Sequence, residues 1–259
     1  MQKQTKQWHR LYRVLRWCVK TVYPKITLSG VEQLPPEPCI IVGNHCQMHG
    51  PIACELYAPG QHVTWCAGEM MQRKEVPDYA FRDFWGEKPR RLRWFYRLLS
   101  YAIAPLSVVI FNNANTIGVY HDARLMSTFR NTLARLEEGA SIIIFPEGPQ
   151  PGNHIVNQFQ ERFVDVARMY YRRTGKALSF VPMYLAPALK TMTFGTPVVF
   201  DPAAPAREEC SRVCHQLHAA ITDLAMALPR HTVVPYRNLP KNAYPCNLPK
   251  ELPDEKACR

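Results

Sequence analysis

No acidic side chain occurs in the first 31 residues of this 259-residue chain; the first is Glu32. Lys3, Lys6, Arg10, Arg13, Arg16, Lys20 and Lys25 all fall in that stretch. Such an uncompensated basic segment predicts an anionic partner surface. CxxC pairs are absent too. The nine cysteines are scattered and odd in number, which argues against a disulfide framework and for reduced thiols in a cytoplasmic protein. A signal peptide is not expected, because the N-terminus alternates charged and apolar residues instead of building a continuous apolar centre. Nor is there an apolar run near the ~20 residues a spanning helix needs. The best stretch, Leu98 to Phe111, has 14 residues and contains Ser100, Pro105 and Ser107; it reads as a buried helix followed by a core strand. Internal repeats are lacking, as is any nucleic-acid recognition motif.

What is present is ample for a large core. Hydrophobic residues make up 47% of the chain, and 32 Lys and Arg against 21 Asp and Glu give a formal charge of +11. A second basic run is Lys88, Arg90, Arg91, Arg93 and Arg97. Both runs are interleaved with large apolar residues: Trp8, Leu11, Leu15 and Trp17 in one, Leu92, Trp94, Phe95 and Tyr96 in the other. That mixture suits a lipid interface better than DNA. Lys6, Arg10, Arg13, Trp17, Arg91 and Trp94 are the candidate membrane contacts. Residues 5 to 23 read as an amphipathic helix ended by Pro24. Trp8, Leu11, Leu15, Cys18, Val19 and Val22 lie on one arc, with Lys6, Arg10, Arg13, Arg16 and Lys20 opposite. A core-docked helix with a solvated basic face fits the same pattern.

Short apolar runs alternate with helical periodicities. Strands are expected at 39–43, 62–67, 106–111, 141–145 and 179–185, with a turn and strand over 195–200; helices at 52–58, through much of 69–100, and at 122–138, 157–173 and 207–227. In 122–138, Leu125, Phe129, Thr132 and Leu136 share a face, and Gly139 sits where a C-cap belongs. This implies an α/β domain with a central, largely parallel sheet flanked by helices, behind the N-terminal amphipathic helix. Three parts follow: the basic helix at 1–28, the α/β domain at 29–228, and a Pro-rich extended tail at 229–259, laid over the surface or partly mobile.

In such sheets functional groups gather beyond the carboxyl ends of the strands. Two constellations sit there. Val42-Gly43-Asn44-His45 leaves a buried strand, and a histidine so placed can serve as general base. Ile144-Phe145-Pro146-Glu147-Gly148 puts a carboxylate at a rigid turn. Cys210, Cys214 and His218 share a helical face, but no fourth ligand stands at zinc spacing, so no metal is expected.

These two motifs, followed by Phe180-Val181-Pro182-Met183 and Gly195-Thr196-Pro197-Val198, resemble in order the blocks of the glycerolipid (lysophospholipid) acyltransferase family, which includes bacterial 1-acylglycerol-3-phosphate acyltransferases. The resemblance covers about residues 37 to 202. It implies that His45 deprotonates an acceptor hydroxyl, which attacks the thioester of an acyl donor (acyl-CoA or an acyl carrier protein), with no other cofactor. Asn44, Pro146, Glu147 and Gly148 would then contact substrate, Glu147 through a hydrogen bond to the acceptor and the N–H groups near Gly148 through the acceptor or an oxyanion. The partners implied are a lipid acceptor, the acyl thioester donor and an anionic membrane, with the protein peripheral on the cytoplasmic face and binding no nucleic acid. The pattern departs at four positions. Gly50 stands where the family has the aspartate that orients the histidine; Glu55 and Glu69 are candidate substitutes. Asn112 and Asn113 replace an Asp-Arg pair, and Gln150 replaces an arginine. With both phosphate-clamping arginines missing, either Arg90, Arg91 or Arg124 supplies the charge, or the acceptor is not a phosphate ester. The alternatives are a lipid-binding relative that has lost the His–Asp unit and, from a different class, a nucleic-acid-binding module.

Overall fold

A computed structural model describes residues 2–86, 88–237 and 239–248, with side chains from Trp8 onward. In chain order the elements are α1 (Gln2–Val22), β1 (Thr27–Ser29), β2 (Ile40–Gly43), α2 (His49–Tyr57), β3 (His62–Ala67), α3 (Val76–Trp85), α4 (Arg93–Asn113), β4 (Thr116–Val119), α5 (Leu125–Glu137), β5 (Ser141–Ile144), α6 (Asp165–Thr174), β6 (Ser179–Ala186), β7 (Thr191–Phe194), β8 (Val198–Val199) and α7 (Ala206–Met226). The fold is α/β, as expected. Strand pairing is parallel except where β6 meets β7 and β8. Contacts divide the chain into two units interleaved in sequence. One is Met1–Lys25, Glu37–Cys39 and Ala53–Ile144; the other is Ile26–Pro36, Ile40–Ile52 and Phe145–Arg259. These boundaries do not follow positions 28 and 228.

In the first unit β3 pairs with β5 on one side and β4 on the other. α5 packs as its periodicity dictates: Phe129, Thr132 and Leu136 are buried, and Gly139 adopts φ 90° after the helix. α3 and α4 enclose Met70, Val76, Ala80 and Ala104, with Trp85 stacked on Tyr96. Here two expectations fail. Leu106–Phe111 is not a strand: α4 runs through Pro105 to Asn113, and the strand falls later, at Thr116–Val119. β-branched residues and a proline read locally as strand and breaker, but packing against α3 and the turn at 68–71 overrides both preferences. Nor is the apolar stretch short. Among the described residues, Arg90–Asn113 forms one helical segment of 24 residues, long and apolar enough to cross a membrane, with only 22% of its most apolar window buried.

The N-terminal helix docks by the edge of its apolar arc, where Leu15 is half-buried. Tyr12 is the buried residue, and its hydroxyl donates to Glu55, which also accepts from Arg16 Nε at 2.9 Å. Arg16, expected on the solvated side, turns inward because the Glu55 carboxylate and carbonyl give its fork two acceptors. Trp8, Leu11, Val14, Trp17, Val19 and Val22 are left exposed. The side chain of Lys6 lies outside the described residues.

In the second unit the strand order is β1–β7–β6–β2, with β8 also on β6. The register sets Ile40 to Gly43 against Phe180 to Met183. Every residue of β2 is buried, which is why it is a continuous apolar run. β6 tolerates Pro182 in mid-strand because β8 pairs with Ser179 and Phe180 while β7 pairs from Met183 onward. Pro182 lies at the break, where no ladder N–H is required. The short strands β1 and β7 were not anticipated. The helix expected at 157–173 begins only at Asp165, after a 3-10 turn at Glu161–Val164. Residues 157–160 stay extended because their backbone groups are used elsewhere: Asn157 N–H goes to Glu147, and Phe159 bridges to Glu147.

Candidate active site

β2 ends at Gly43, and the side chain of Asn44 takes over where the ladder stops. Its Oδ1 accepts the Leu185 N–H at 2.8 Å and its Nδ2 donates to the Leu185 carbonyl at 3.0 Å. Asn44 is 1% exposed, so the amide acts as one more rung of the sheet rather than as a group facing substrate. The chain then reverses through two left-handed residues, Cys46 (φ 47°) and Gln47 (φ 56°). Neither is glycine, and each such residue costs about 1–2 kcal/mol. The turn closes with His49 N–H on Cys46 O and Gly50 N–H on His45 O, both at 3.0 Å, and α2 starts. Strain held by surrounding bonds is a feature of functional turns.

His45 is half-buried at the top of this turn. Its backbone N–H donates to Glu147 Oε1 at 2.6 Å, while Glu147 Oε2 accepts the Asn157 N–H at 2.9 Å. Glu147 is therefore a staple joining three loop segments. Burial holds its carboxyl above the usual carboxylate range, a rise that the two backbone N–H groups only partly offset. Both oxygens already hold backbone donors, so its first task is to place His45. The ring of His45 lies 5.3 Å from that of Phe145 at 63° and 5.8 Å from that of Tyr236 at 85°.

The turn after β5 is equally occupied. Gly148 N–H donates to Gln158 O at 2.8 Å and Gly148 O accepts from Asn157 Nδ2 at 3.0 Å, so the expected oxyanion donor is in use. Pro146 O accepts the Gln160 N–H, and Gln150 is exposed. The structure thus brings Asn44, His45, Gly50, Pro146, Glu147 and Gly148 together within the second unit. Asn112 and Asn113 belong to the first. They cap the end of α4, their amides donating to Val108 O and Met71 O and to Val109 O respectively.

Position 50 is closed. A Cβ built there would meet His45 O at 2.5 Å, Phe145 Cε1 at 2.9 Å and Asn44 O at 3.0 Å. Glycine is needed for close backbone approach, and no side chain at this position can orient the imidazole. Of the substitutes considered, Glu55 is bound to Tyr12 and Arg16. Arg124 is forked onto Asp122 and paired with Glu75 at 2.8 Å. Arg10, Arg13, Arg90, Arg91, Trp17 and Trp94 are exposed. Cys214 is buried, and Cys210 donates to Asp165; among the described residues no group of three metal-ligating side chains forms.

Sequence reasoning missed Tyr236, Arg237 and Tyr244, which reach this site from the C-terminal segment. Gln47 Nε2 donates to Tyr244 Oη at 3.0 Å, and the Arg237 guanidinium donates to Pro149 O. No local pattern links residues 190 positions apart.

Fold and site together define an α/β domain with a histidine at the carboxyl end of a buried parallel strand, stapled through its own backbone to a buried carboxylate. No protein-family model and no curated protein matches the chain. Among solved structures it is similar to the crystal structure of the 1-acyl-sn-glycerophosphate (LPA) acyltransferase PlsC from Thermotoga maritima. The TM-score is 0.45 and the identity 14%, over 85% of this chain and 79% of that one. A likeness at that level lends no weight to any activity.

Proposed function

We propose that the chain is an acyltransferase working at a membrane surface. His45 takes the proton of an acceptor hydroxyl as its oxygen attacks the thioester carbonyl. The C–S bond then breaks, and the proton passes to the departing thiol. The donor is acyl-CoA or an acyl carrier protein, and the acceptor is a lysophospholipid or similar lipid alcohol. The observation that carries this reading is the bond from His45 N–H to Glu147, which unites the two motif turns at one strand end. The exposed apolar side chains of α1 and α4, with Trp94 66% and Leu98 61% exposed among arginines, suit a peripheral site on the cytoplasmic face of an anionic membrane. A second reading, a lipid-binding protein without turnover, is favoured by the closed position at Gly50.

Thiol release from acyl-CoA and acyl carrier protein, across a panel of lysolipids, tests the first reading. Turnover is expected, and loss of it in His45→Ala. No turnover with any pair, from folded protein that still binds lipid, supports the second. Salt-sensitive binding to anionic liposomes is expected to weaken on deletion of residues 1–24. Retention on DNA in place of liposomes would favour a nucleic-acid module.

A further inference from the structure

Beyond α7 the chain doubles back on itself. His231 is buried, its Nε2 lying 2.9 Å from Tyr184 Oη and its Nδ1 2.8 Å from Pro229 O. Asn247 is wholly buried: its Oδ1 accepts the His231 N–H at 2.8 Å, and its Nδ2 donates to Ala225 O at 2.8 Å and Leu228 O at 3.1 Å. Thr232 bridges antiparallel to Cys246, and Val233 N–H donates to Pro245 O at 2.8 Å. These bonds clasp the base of a loop, so its middle must project. Over its described residues to 248, the tail expected from the sequence is held by a buried polar pin.

The projecting part ends on the active-site turns. Tyr236 meets the His45 ring at a steep angle, as does Phe145. Gln47 Nε2 donates to Arg237 O at 3.3 Å and to Tyr244, and Arg237 donates to Pro149 O. The loop is therefore tied both to the turn that follows His45 and to the turn that follows Glu147.

We propose that Tyr236 is a positioning residue for His45, and that this loop supplies the orientation that position 50 cannot. The role rests on the reading of His45 as general base. An imidazole that must accept a proton on a fixed line needs its ring rotation restricted, commonly by a hydrogen bond to an acid. Two rings packed on it at steep angles restrict the same rotation by contact.

The test uses the full chain with isotope-labelled histidine, the His45 ring resonances being identified by their loss in His45→Ala. In Tyr236→Leu the relaxation of those resonances is expected to report a gain in rotational freedom of the imidazole, apart from the shift that loss of any neighbouring ring current causes. kcat should fall about tenfold with KM held within about twofold. Tyr236→Phe, which keeps the ring, is expected to recover most of both. Should Tyr236→Leu not fold, Gln47→Ala, which cuts the tie between turn and loop, gives the same readout in weaker form. Unchanged relaxation of the His45 ring in a folded Tyr236→Leu protein would overturn the proposal. So would a raised KM with unchanged kcat, which would make Tyr236 a substrate contact. If the parent shows no turnover with any donor and acceptor, acyl transfer fails separately, and the ring relaxation alone decides whether Tyr236 positions the imidazole.

Discussion

Placing an aspartate at position 50 should harm this protein. A relaxed carbon–oxygen approach is about 3.3 Å, whereas a Cβ on residue 50 would lie 2.5 Å from the His45 carbonyl oxygen. Backbone would have to yield by about 0.8 Å, the shortfall from that contact distance. The yielding atoms belong to the strained turn at Cys46 and Gln47 that presents the imidazole. Gly50→Ala should therefore cost about 1–3 kcal/mol by overpacking. Gly50→Asp should cost about 3–5 kcal/mol, because it also buries a polar group among backbone carbonyls. Denaturant unfolding with unchanged slope reads the difference, and Tm should fall by about 2–4 °C per kcal/mol. A displacement near 1 Å at a general base also lowers turnover by about 100-fold. Gly50→Ala within about 0.5 kcal/mol of the parent would show that the turn is not closed, and any gain of turnover in Gly50→Asp would refute the reasoning outright.

Asn44→Ala removes both bonds to Leu185 and leaves that residue's buried N–H and C=O without their partner. Unfolding in urea should register a loss of about 2–4 kcal/mol, and a loss under about 1 kcal/mol would mean the rung is dispensable. Glu209 is a buried carboxylate held by Arg212 at 2.6 and 2.7 Å and by the Asp201 N–H at 2.8 Å. Burial opposes its ionisation, but Arg212 and the Asp201 N–H outweigh that and hold its pKa below the usual range. Its stabilising effect is thus present above the unfolded value of about 4.3 and fades as pH falls through the lower folded value. Glu209→Gln should flatten the acid limb of stability against pH, measured by denaturation midpoints between about pH 2 and 5; an unaltered slope would discount the network.

Much of this was legible in the chain because local pattern and fold agree. Cys39-Ile40-Ile41-Val42 and Ser141-Ile142-Ile143-Ile144 are apolar runs with abrupt ends, so the groups beyond them, His45 and Glu147, could be placed without coordinates. The role of Glu147 could not. A carboxylate at a turn looks the same whether it faces a substrate or two backbone N–H groups, and only the partners His45 and Asn157 decide. α4 was misread at Leu106–Phe111 because β-branched residues after a proline carry the same local signal as a strand. Residue 50 could be seen to depart from the pattern, but that it is walled in by carbonyls is a fact of three dimensions. Tyr236 was invisible, since nothing in a proline-rich segment points to a histidine far upstream.

Glu147 lies 102 residues beyond His45, and Tyr244 lies 197 beyond Gln47. At about 5–20 residues per second of synthesis, some 10–40 s separate the emergence of the histidine from that of the loop that clasps over it. During that interval the left-handed turn waits first for its staple, then for β6 to pair with β2, and last for its cover. The cover over His45 is thus added only after α1 to α7 and β1 to β8 have all been synthesised.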